Sequence, residues 1–278
     1  MTRHPGTHWL AKLRTAVYGV LVLTAWAWAA PAGAQEAAKE ESGASTNADA
    51  NNPLAKTTAF NIQNYYTPAL TEAPDQTSNT LWLRYANPFG RWLVRASLPL
   101  SQVPAGDGTQ ASGLGDFNFF ATYLFDAPPG VSFGVGPQVT APTATDDKTG
   151  TERWQAGLAA VYFNATSSAF QWGGLVTWQT DFAGDSEGQD SNVLAVQPFY
   201  FLQLGKGLYA RSAAVMVFNL EDGSYNVPVG LGIGKVIPAG GVIFNAFIEP
   251  QFTVLSHGPY EPQLQIFVGL NTQFGSKE

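Results

Sequence analysis

Apolar and polar residues alternate with a period of two through most of the chain from residue 57 onward. The clearest example is the segment 261–274, EPQLQIFVGLNTQF, in which large apolar residues fill most even positions and Gln, Asn or Gly most odd ones. Successive side chains of a β-strand point to opposite faces, so this pattern predicts strands with one apolar and one polar face. No 3.6-residue period competes with it over the body of the chain.

About twelve such segments follow one another, each close to the roughly nine to eleven residues that a tilted strand needs to cross a bilayer. They cover residues 57–66, 78–87, 91–101, 115–126, 131–140, 153–164, 170–182, 191–204, 207–219, 225–237, 242–255 and 261–274.

Short and longer connections alternate between these segments. The short ones are 87–90, 126–130, 164–169, 204–207 and 238–241, and the longer ones are 67–77, 102–114, 141–152, 183–190, 221–224 and 256–260. Bacterial outer-membrane barrels have an even number of strands, short periplasmic turns and longer outer loops. The chain is therefore predicted to be all-β, an antiparallel up-and-down transmembrane β-barrel of about 12 strands over residues 57–274, with both termini in the periplasm.

A soluble β-sandwich would also alternate, and the placement of charge decides against it. Only 13% of residues are charged, whereas soluble domains carry roughly 25%. The polar faces hold mainly uncharged residues, and the acidic residues concentrate in the longer connections. An apolar face without a protein partner needs lipid to cover it. Aromatic residues near strand ends on that face predict interfacial girdles: Trp92, Phe117, Phe125, Trp154, Trp172 and Phe274.

Residues 1–34 have the pattern of a secretory signal peptide. Three basic residues precede the apolar run 15–30, and Ala32-Gly33-Ala34 provides a cleavage motif before Gln35. Removing this segment leaves 11 Lys and Arg against 21 Asp and Glu, a net charge of −10, which argues against a nucleic-acid partner. Residues 35–56 contain few large apolar residues and are predicted to form a flexible periplasmic tail; a plug or short helix is the alternative.

Six short motifs occur in one order along the body: NPL at 52–54, GLGD at 113–116, GVGP at 134–137, PTATDD at 142–147, WQAG at 154–157 and FAGD at 182–185. Together they resemble the outer-membrane transporter family associated with the meta-cleavage pathway of phenol degradation, whose members are sometimes mislabelled neuromedin U. The resemblance implies an outer-membrane barrel and channel, surrounded by lipid and lipopolysaccharide and inserted by the barrel assembly machinery. One departure is that residues 275–278 follow the terminal aromatic Phe274.

Catalytic chemistry has little support in the sequence. His257, beside Ser256, is the only histidine after residue 34, and there are no cysteines, so neither a triad nor a thiolate site is indicated. Loop carboxylates such as Asp146 and Asp147 could hold a divalent cation, but solvated charge is the favoured interpretation because no complete calcium-loop spacing is present. We therefore predict no enzyme activity, no metal and no cofactor.

Basic residues on the inward face suggest how the lumen could select solutes. Arginine pairs with carboxylates and stacks on rings, so the hypothesis is a constriction that favours anionic or aromatic solutes. The proposed constriction consists of Arg84, Arg91, Arg95 and Arg211, with Glu249 and Tyr209, and also Tyr65, Asp116 and Asp181, facing them. A network that only braces the lumen is an equal alternative.

Large inward residues are expected to narrow the pore further: Phe120, Leu124, Phe163, Leu175 and Phe267. The predicted function is passive, selective uptake of small solutes, with aromatic or anionic compounds as candidates. The alternative is a closed structural or adhesion barrel without transport.

Overall fold

The fold is a closed antiparallel β-barrel of 12 strands. The computed structural model describes residues 50–106 and 108–275. Three of the strands are interrupted, so the strand segments are fifteen: β1 Thr58–Leu70, β2 Ser78–Phe89, β3 Trp92–Pro104, β4 Gln110–Leu114, β5 Phe117–Leu124, β6 Val131–Ala141, β7 Arg153–Asn164, β8 Phe170–Gly184, β9 Asn192–Gly205, β10 Leu208–Ser212, β11 Met216–Asn219, β12 Tyr225–Gly230, β13 Gly232–Ala239, β14 Val242–His257 and β15 Pro262–Phe274. The barrel closes where β1 pairs with β15, from Thr58 opposite Phe274 to Leu70 opposite Pro262.

The interrupted strands are β4 with β5, β10 with β11, and β12 with β13. β4 and β5 both pair with β3, and β10 and β11 both pair with β9. β12 and β13 both pair with β14. The prediction of an all-β barrel with about 12 strands is confirmed, and among the described residues no helix is long and apolar enough to cross a membrane.

The two ends of the barrel differ as the connection lengths predict. We call the end with the five short connections, which also holds Thr58 and Phe274, the turn end, and the opposite end the loop end. The periplasmic orientation of the turn end stays a prediction.

One predicted connection, 102–114, is wrong in part, because β3 continues to Pro104 and pairs with β4 from Leu100 opposite Leu114 to Pro104 opposite Gln110.

The outer face of the barrel is apolar. The six aromatic residues predicted to lie on this face are all exposed. At the turn end, rings on neighbouring strands contact each other: Trp92 with Tyr123, Phe125 with Phe133, Tyr162 with Trp172, and Phe170 with Tyr200. Tyr123 also contacts Phe125 on the same stretch of chain. Amphipathic and aromatic rings at one height are typical of a membrane interface.

The protein interior is the barrel lumen. Buried residues there include an unusual number of uncharged polar side chains, such as Gln138, Thr140, Gln155, Gln171 and Gln251. Phe120, Leu124, Phe163 and Phe267 are buried as predicted, and Leu175 packs against the buried clusters. Exposed apolar side chains outside and buried polar side chains inside differ from the arrangement of a soluble protein and are typical of outer-membrane barrels.

The described part of the N-terminal segment lies inside the barrel and not beside it. Ala50, Asn51 and Leu54 are buried, and Leu54 packs with Leu93, Leu124 and Val161 of the wall. Residues 50–56 favour the plug alternative over a flexible periplasmic tail, because wall residues bury three of their side chains. The predicted signal peptide, 1–34, and residues 35–49 lie outside the described residues.

Candidate functional site

Two arginines from adjacent strands face the lumen, and neither has a carboxylate partner among the residues that the structure describes. Arg84 of β2 lies opposite Ser97, and Arg95 of β3 lies opposite Ala86, so the two are diagonal neighbours on one face. Arg84 donates a hydrogen bond to Gln63 Oε1. The guanidinium of Arg95 lies 4.0 Å from the centre of the Phe120 ring.

Both guanidinium groups are incompletely satisfied. The Nε atoms of Arg84 and Arg95 are buried and have no hydrogen-bond partner, and within residues 50–106 and 108–275 neither side chain forms an ion pair. Removing a charge from water without a partner is costly. The pair is thus a positive site to which an anion would bring missing hydrogen-bond acceptors.

The third luminal arginine, Arg211 of β10, is fully paired. Its Nε lies 2.8 Å from Glu249 Oε2 of β14, and Glu249 is 0% exposed. Glu249 Oε1 also accepts hydrogen bonds from the backbone N–H of Ala213 and from Gln251 Nε2. Glu249 therefore has three hydrogen-bond partners and Arg211 has a counter-charge, as a buried pair requires.

Aromatic rings surround Arg211 on three sides. Its guanidinium lies 3.6 Å from the ring centre of Phe247, 5.3 Å from that of Phe267 and 5.7 Å from that of Phe201. Tyr65 stacks on Phe267 with 4.1 Å between ring centres. Phe267 thus contacts rings on both neighbouring strands, Tyr65 on β1 and Phe247 on β14, and cation–π attraction stabilises Arg211 in addition to the ion pair.

The glycines of β12 and β13 make room for this cluster. A Cβ on Gly230 or Gly232 would meet Glu249, and one on Gly234 would meet the ring of Tyr209. Tyr209 is itself buried and donates a hydrogen bond to Asn245 Oδ1. The run Gly230-Leu-Gly-Ile-Gly234 is the sequence signal that could have located the large side chains opposite it.

The four basic residues predicted to form the constriction do not all face the lumen. Arg84, Arg95 and Arg211 face the lumen, with Glu249, Tyr209 and Tyr65 nearby. Including Arg91 was wrong: it precedes β3 in the turn after β2, its side chain is 50% exposed, and it pairs with Asp126 of the neighbouring turn at 2.9 Å. Residues of a hairpin turn lie at the end of the barrel, beyond the part of the wall that encloses the lumen.

Two predicted carboxylates also lie elsewhere. Asp116 accepts hydrogen bonds from the backbone of Thr143, Ala144 and Thr151, and Asp181 pairs with Arg153 at 3.1 Å. Both carboxylates therefore stabilise the loop end of the barrel. Sequence reasoning missed Phe201 and Phe247, because alternation alone does not tell which inward rings meet an arginine.

The N-terminal segment contacts the lumen close to this cluster. Asn245 Nδ2 donates to the carbonyl oxygen of Ala50 and to Asn51 Oδ1, at 3.3 and 3.0 Å. Gln273 Nε2 donates to the same carbonyl oxygen of Ala50. Ala50 also packs with Phe163, Phe199 and Phe201. The segment 50–56 thus occupies the turn-end half of the lumen, below the arginines.

No group of three or more metal-ligating side chains occurs in the described part of the chain. Asp147 instead pairs with Lys148, and Asp190 with Arg153. His257 ends β14 and its ring lies 6.0 Å from that of Tyr225. It stays a prediction that the chain has no metal, no cofactor and no enzyme activity.

A channel of known structure shares this architecture. The COG4313 outer membrane channel from Pseudomonas putida F1 superposes with a TM-score of 0.62 and 14% identity, covering 80% of this chain and 97% of that one. The fold is that of outer-membrane channels. The NanC porin superposes with a TM-score of 0.51 and 8% identity, over 78% of this chain and 100% of that one. No protein-family model matches the sequence, and no curated protein does, so membership of the phenol meta-pathway family stays a prediction.

A pH effect is expected at the loop end, where Glu261 follows the turn after β14. Burial, and secondarily the nearby charge of Asp222, raise the pKa of Glu261 from 4.5 to about 7. The protonated form is therefore favoured in the folded protein. Its contribution to stability is full below pH 4.5 and is lost as the pH rises through about 7.

We expect Glu261→Gln to remove this pH dependence. Thermal unfolding of the detergent-solubilised protein, followed at pH values below 4.5 and above 7, should show a smaller loss of midpoint temperature for the variant than for the wild type. Glu187→Gln, at an exposed loop position, is the matched control and should behave as wild type. An identical pH profile in wild type and Glu261→Gln would show that Glu261 is not desolvated.

Proposed function

We propose that the protein is a passive outer-membrane channel for small solutes whose arginine-lined lumen favours anionic or aromatic compounds. The observation that carries this proposal is the half-buried pair Arg84 and Arg95, whose Nε atoms are buried without a hydrogen-bond partner and which have no carboxylate partner within residues 50–106 and 108–275. A purely bracing arginine would be paired as Arg211 is paired with Glu249. Rings of charged side chains set selectivity in pores.

The chemistry of the site fits a planar anion such as an aromatic carboxylate. A guanidinium group can donate two parallel hydrogen bonds to a carboxylate. Rings already lie next to these arginines in the lumen, with Phe120 beneath Arg95 and Tyr65 stacked on Phe267. A solute with both a negative charge and a ring would use both kinds of contact, whereas a simple cation would be repelled.

Ion selectivity in planar lipid bilayers tests this proposal. The double variant Arg84→Gln, Arg95→Gln should shift the reversal potential in a salt gradient towards that of an unselective pore, because the fixed positive charge is lost. Arg91→Gln removes the same charge from the exposed turn and should leave the reversal potential unchanged. Equal reversal potentials in the wild type and the double variant would contradict the role of the arginine pair.

The proposed location is the bacterial outer membrane, with the turn end and both termini in the periplasm, lipopolysaccharide around the outer leaflet and the barrel assembly machinery as the insertion partner. The buried segment 50–56 favours a second candidate, a closed structural barrel. Liposome swelling separates the two candidates, since leakage of small solutes requires a channel and a closed barrel gives none.

A further inference from the structure

The barrel wall is interrupted between β10 and β11. On one side, β10 pairs Ser212 with Tyr200 of β9, and pairing resumes only at Met216 with Val196. On the other side, Arg211 pairs with Gly232 and the next pair is Val217 with Asn226. Within the described part of the chain, residues 213–215 are thus paired with neither neighbouring strand. We call residues 213–215 the recessed segment.

Prolines on both flanking strands explain why the ladder stops here. By the register of the surrounding pairs, Pro198 of β9 lies opposite Ala214, and Pro228 of β12 lies opposite Val215. Proline has no N–H to donate to a ladder and is confined to edges and irregular places in sheets. The sequence therefore prevents regular pairing on both sides of the same short segment.

Luminal side chains hold the recessed segment in place of the missing ladder. The N–H of Ala213 donates to Glu249 Oε1 at 2.8 Å, and its carbonyl oxygen accepts from Gln197 Nε2 at 2.8 Å. Ala214 is buried although Val229, which lies opposite it in register, is 51% exposed on the outer face. The segment is therefore drawn inward from the wall.

An apolar groove occupies the outer face at this place. It consists of two adjoining pockets of about 420 and 260 Å³ that share Pro198, Tyr200 and Ser212. Phe170 and Trp172 line one pocket, and Met216 and Val229 line the other. The larger pocket is within the range that small-molecule sites occupy, roughly 300–1,000 Å³, and its rings suit an aromatic solute.

The groove is separated from the lumen by a single layer of side chains. Phe199 lines the larger pocket and at the same time packs in the luminal cluster with Phe163, Phe201 and Ala213. Moving the recessed segment would break two side-chain hydrogen bonds and no ladder pair. Such a movement is far less costly than opening a regular strand pair, because ladder bonds are cooperative.

We propose that the recessed segment is a lateral portal through which a neutral aromatic solute passes between the lumen and the bilayer. This inference rests on the proposed channel function and adds a second exit to it. An apolar solute gains by leaving through the wall, since the groove is contiguous with lipid and burial of apolar surface is favourable. An anion would keep to the axial route past Arg84 and Arg95.

Cross-linking across the groove tests the portal. The natural chain has no cysteine, so Ala214→Cys with Val229→Cys places a unique pair on the two sides, to be joined by a short bismaleimide. The control pair is Ala210→Cys with Ile233→Cys, which are directly opposed in the intact ladder of the same two strands. Two quantities are measured: ionic conductance, and entry of N-phenyl-1-naphthylamine into vesicles that carry lipopolysaccharide.

The portal predicts that cross-linking the 214/229 pair reduces probe entry to the rate of protein-free vesicles and leaves conductance unchanged, while the control pair changes neither. Ala214→Trp, which fills the groove, should act like the cross-link, and Ala210→Trp should not. Unchanged probe entry after complete cross-linking, or a parallel loss of conductance and probe entry, would overturn the portal. Probe entry without any ionic conductance in the unmodified protein would instead refute the axial channel and leave the portal standing.

Discussion

Glu249→Ala is expected to lower the free energy of unfolding by about 3–5 kcal/mol, the usual effect of removing one partner of a buried ion pair. The variant would leave the guanidinium of Arg211 buried without a counter-charge, since Arg211 is 5% exposed. It would also remove the acceptor of the Ala213 N–H. Urea unfolding of the detergent-solubilised protein, with heat-modifiable gel mobility to confirm barrel closure, measures the effect.

Two further variants isolate the cause. Glu187→Ala removes a carboxylate from an exposed loop position and should leave the unfolding free energy within about 0.5 kcal/mol of wild type. The double variant Arg211→Met, Glu249→Leu removes both charges and should recover much of the lost stability, because an apolar replacement of a buried pair is often neutral. A wild-type midpoint for Glu249→Ala would show that water reaches Arg211.

Deleting residues 35–56 is expected to raise single-channel conductance to several times the wild-type value. Residues 50–56 contact the lumen wall near the turn end, with Leu54 buried against the wall and Ala50 bonded to Asn245 and Gln273. Removing them leaves the 12-strand wall intact and widens the water-filled cross-section, on which the passage of ions depends. Recordings in planar bilayers measure the change.

Deleting residues 35–49 alone, which keeps the buried segment, is the matched control and should leave conductance at the wild-type value. A second variant, Leu54→Asp, places a charge in the apolar cluster of Leu93, Leu124 and Val161 and should favour the open state, because the carboxylate would be desolvated there. Equal conductance for the two deletions would mean that the narrowest part of the pore lies elsewhere.

The strands and their alternation could be predicted because lipid and lumen impose opposite demands on neighbouring residues. The bounds of β7, 153–164, agree with the prediction at both ends. The interruptions were not predicted: 207–219 and 225–237 each appear continuous in polarity, while Ala213 and Leu231 depart from the ladder. Such departures depend on Pro198 in one strand meeting Ala214 in another, a contact between distant residues that periodicity does not encode.

Residues 50–56 show the same limit in another way. Their composition, rich in Asn and small residues, indicates little tendency to form a core on their own. They are ordered by a surface that exists only once the barrel has closed, with Asn245 and Gln273 as hydrogen-bond donors. Arg84, Arg95 and Arg211 lie within strands, where alternation fixes the face, and their role in a constriction stays a prediction. Arg91 lies in a turn instead, because the strand begins one residue later, at Trp92.

The contacts of residues 50–51 also bear on how the sheet becomes a cylinder. This short stretch directly precedes the first strand, yet its bonds go to Asn245 and Gln273 on the last two strands. Residues 50–51 therefore hold the segment before β1 beside β14 and β15, the strands that are synthesised last. They support the edge pairing of β1 with β15 from inside the lumen. A sheet that encloses its own leading residues in this way joins its two edges with help from side chains as well as from the backbone.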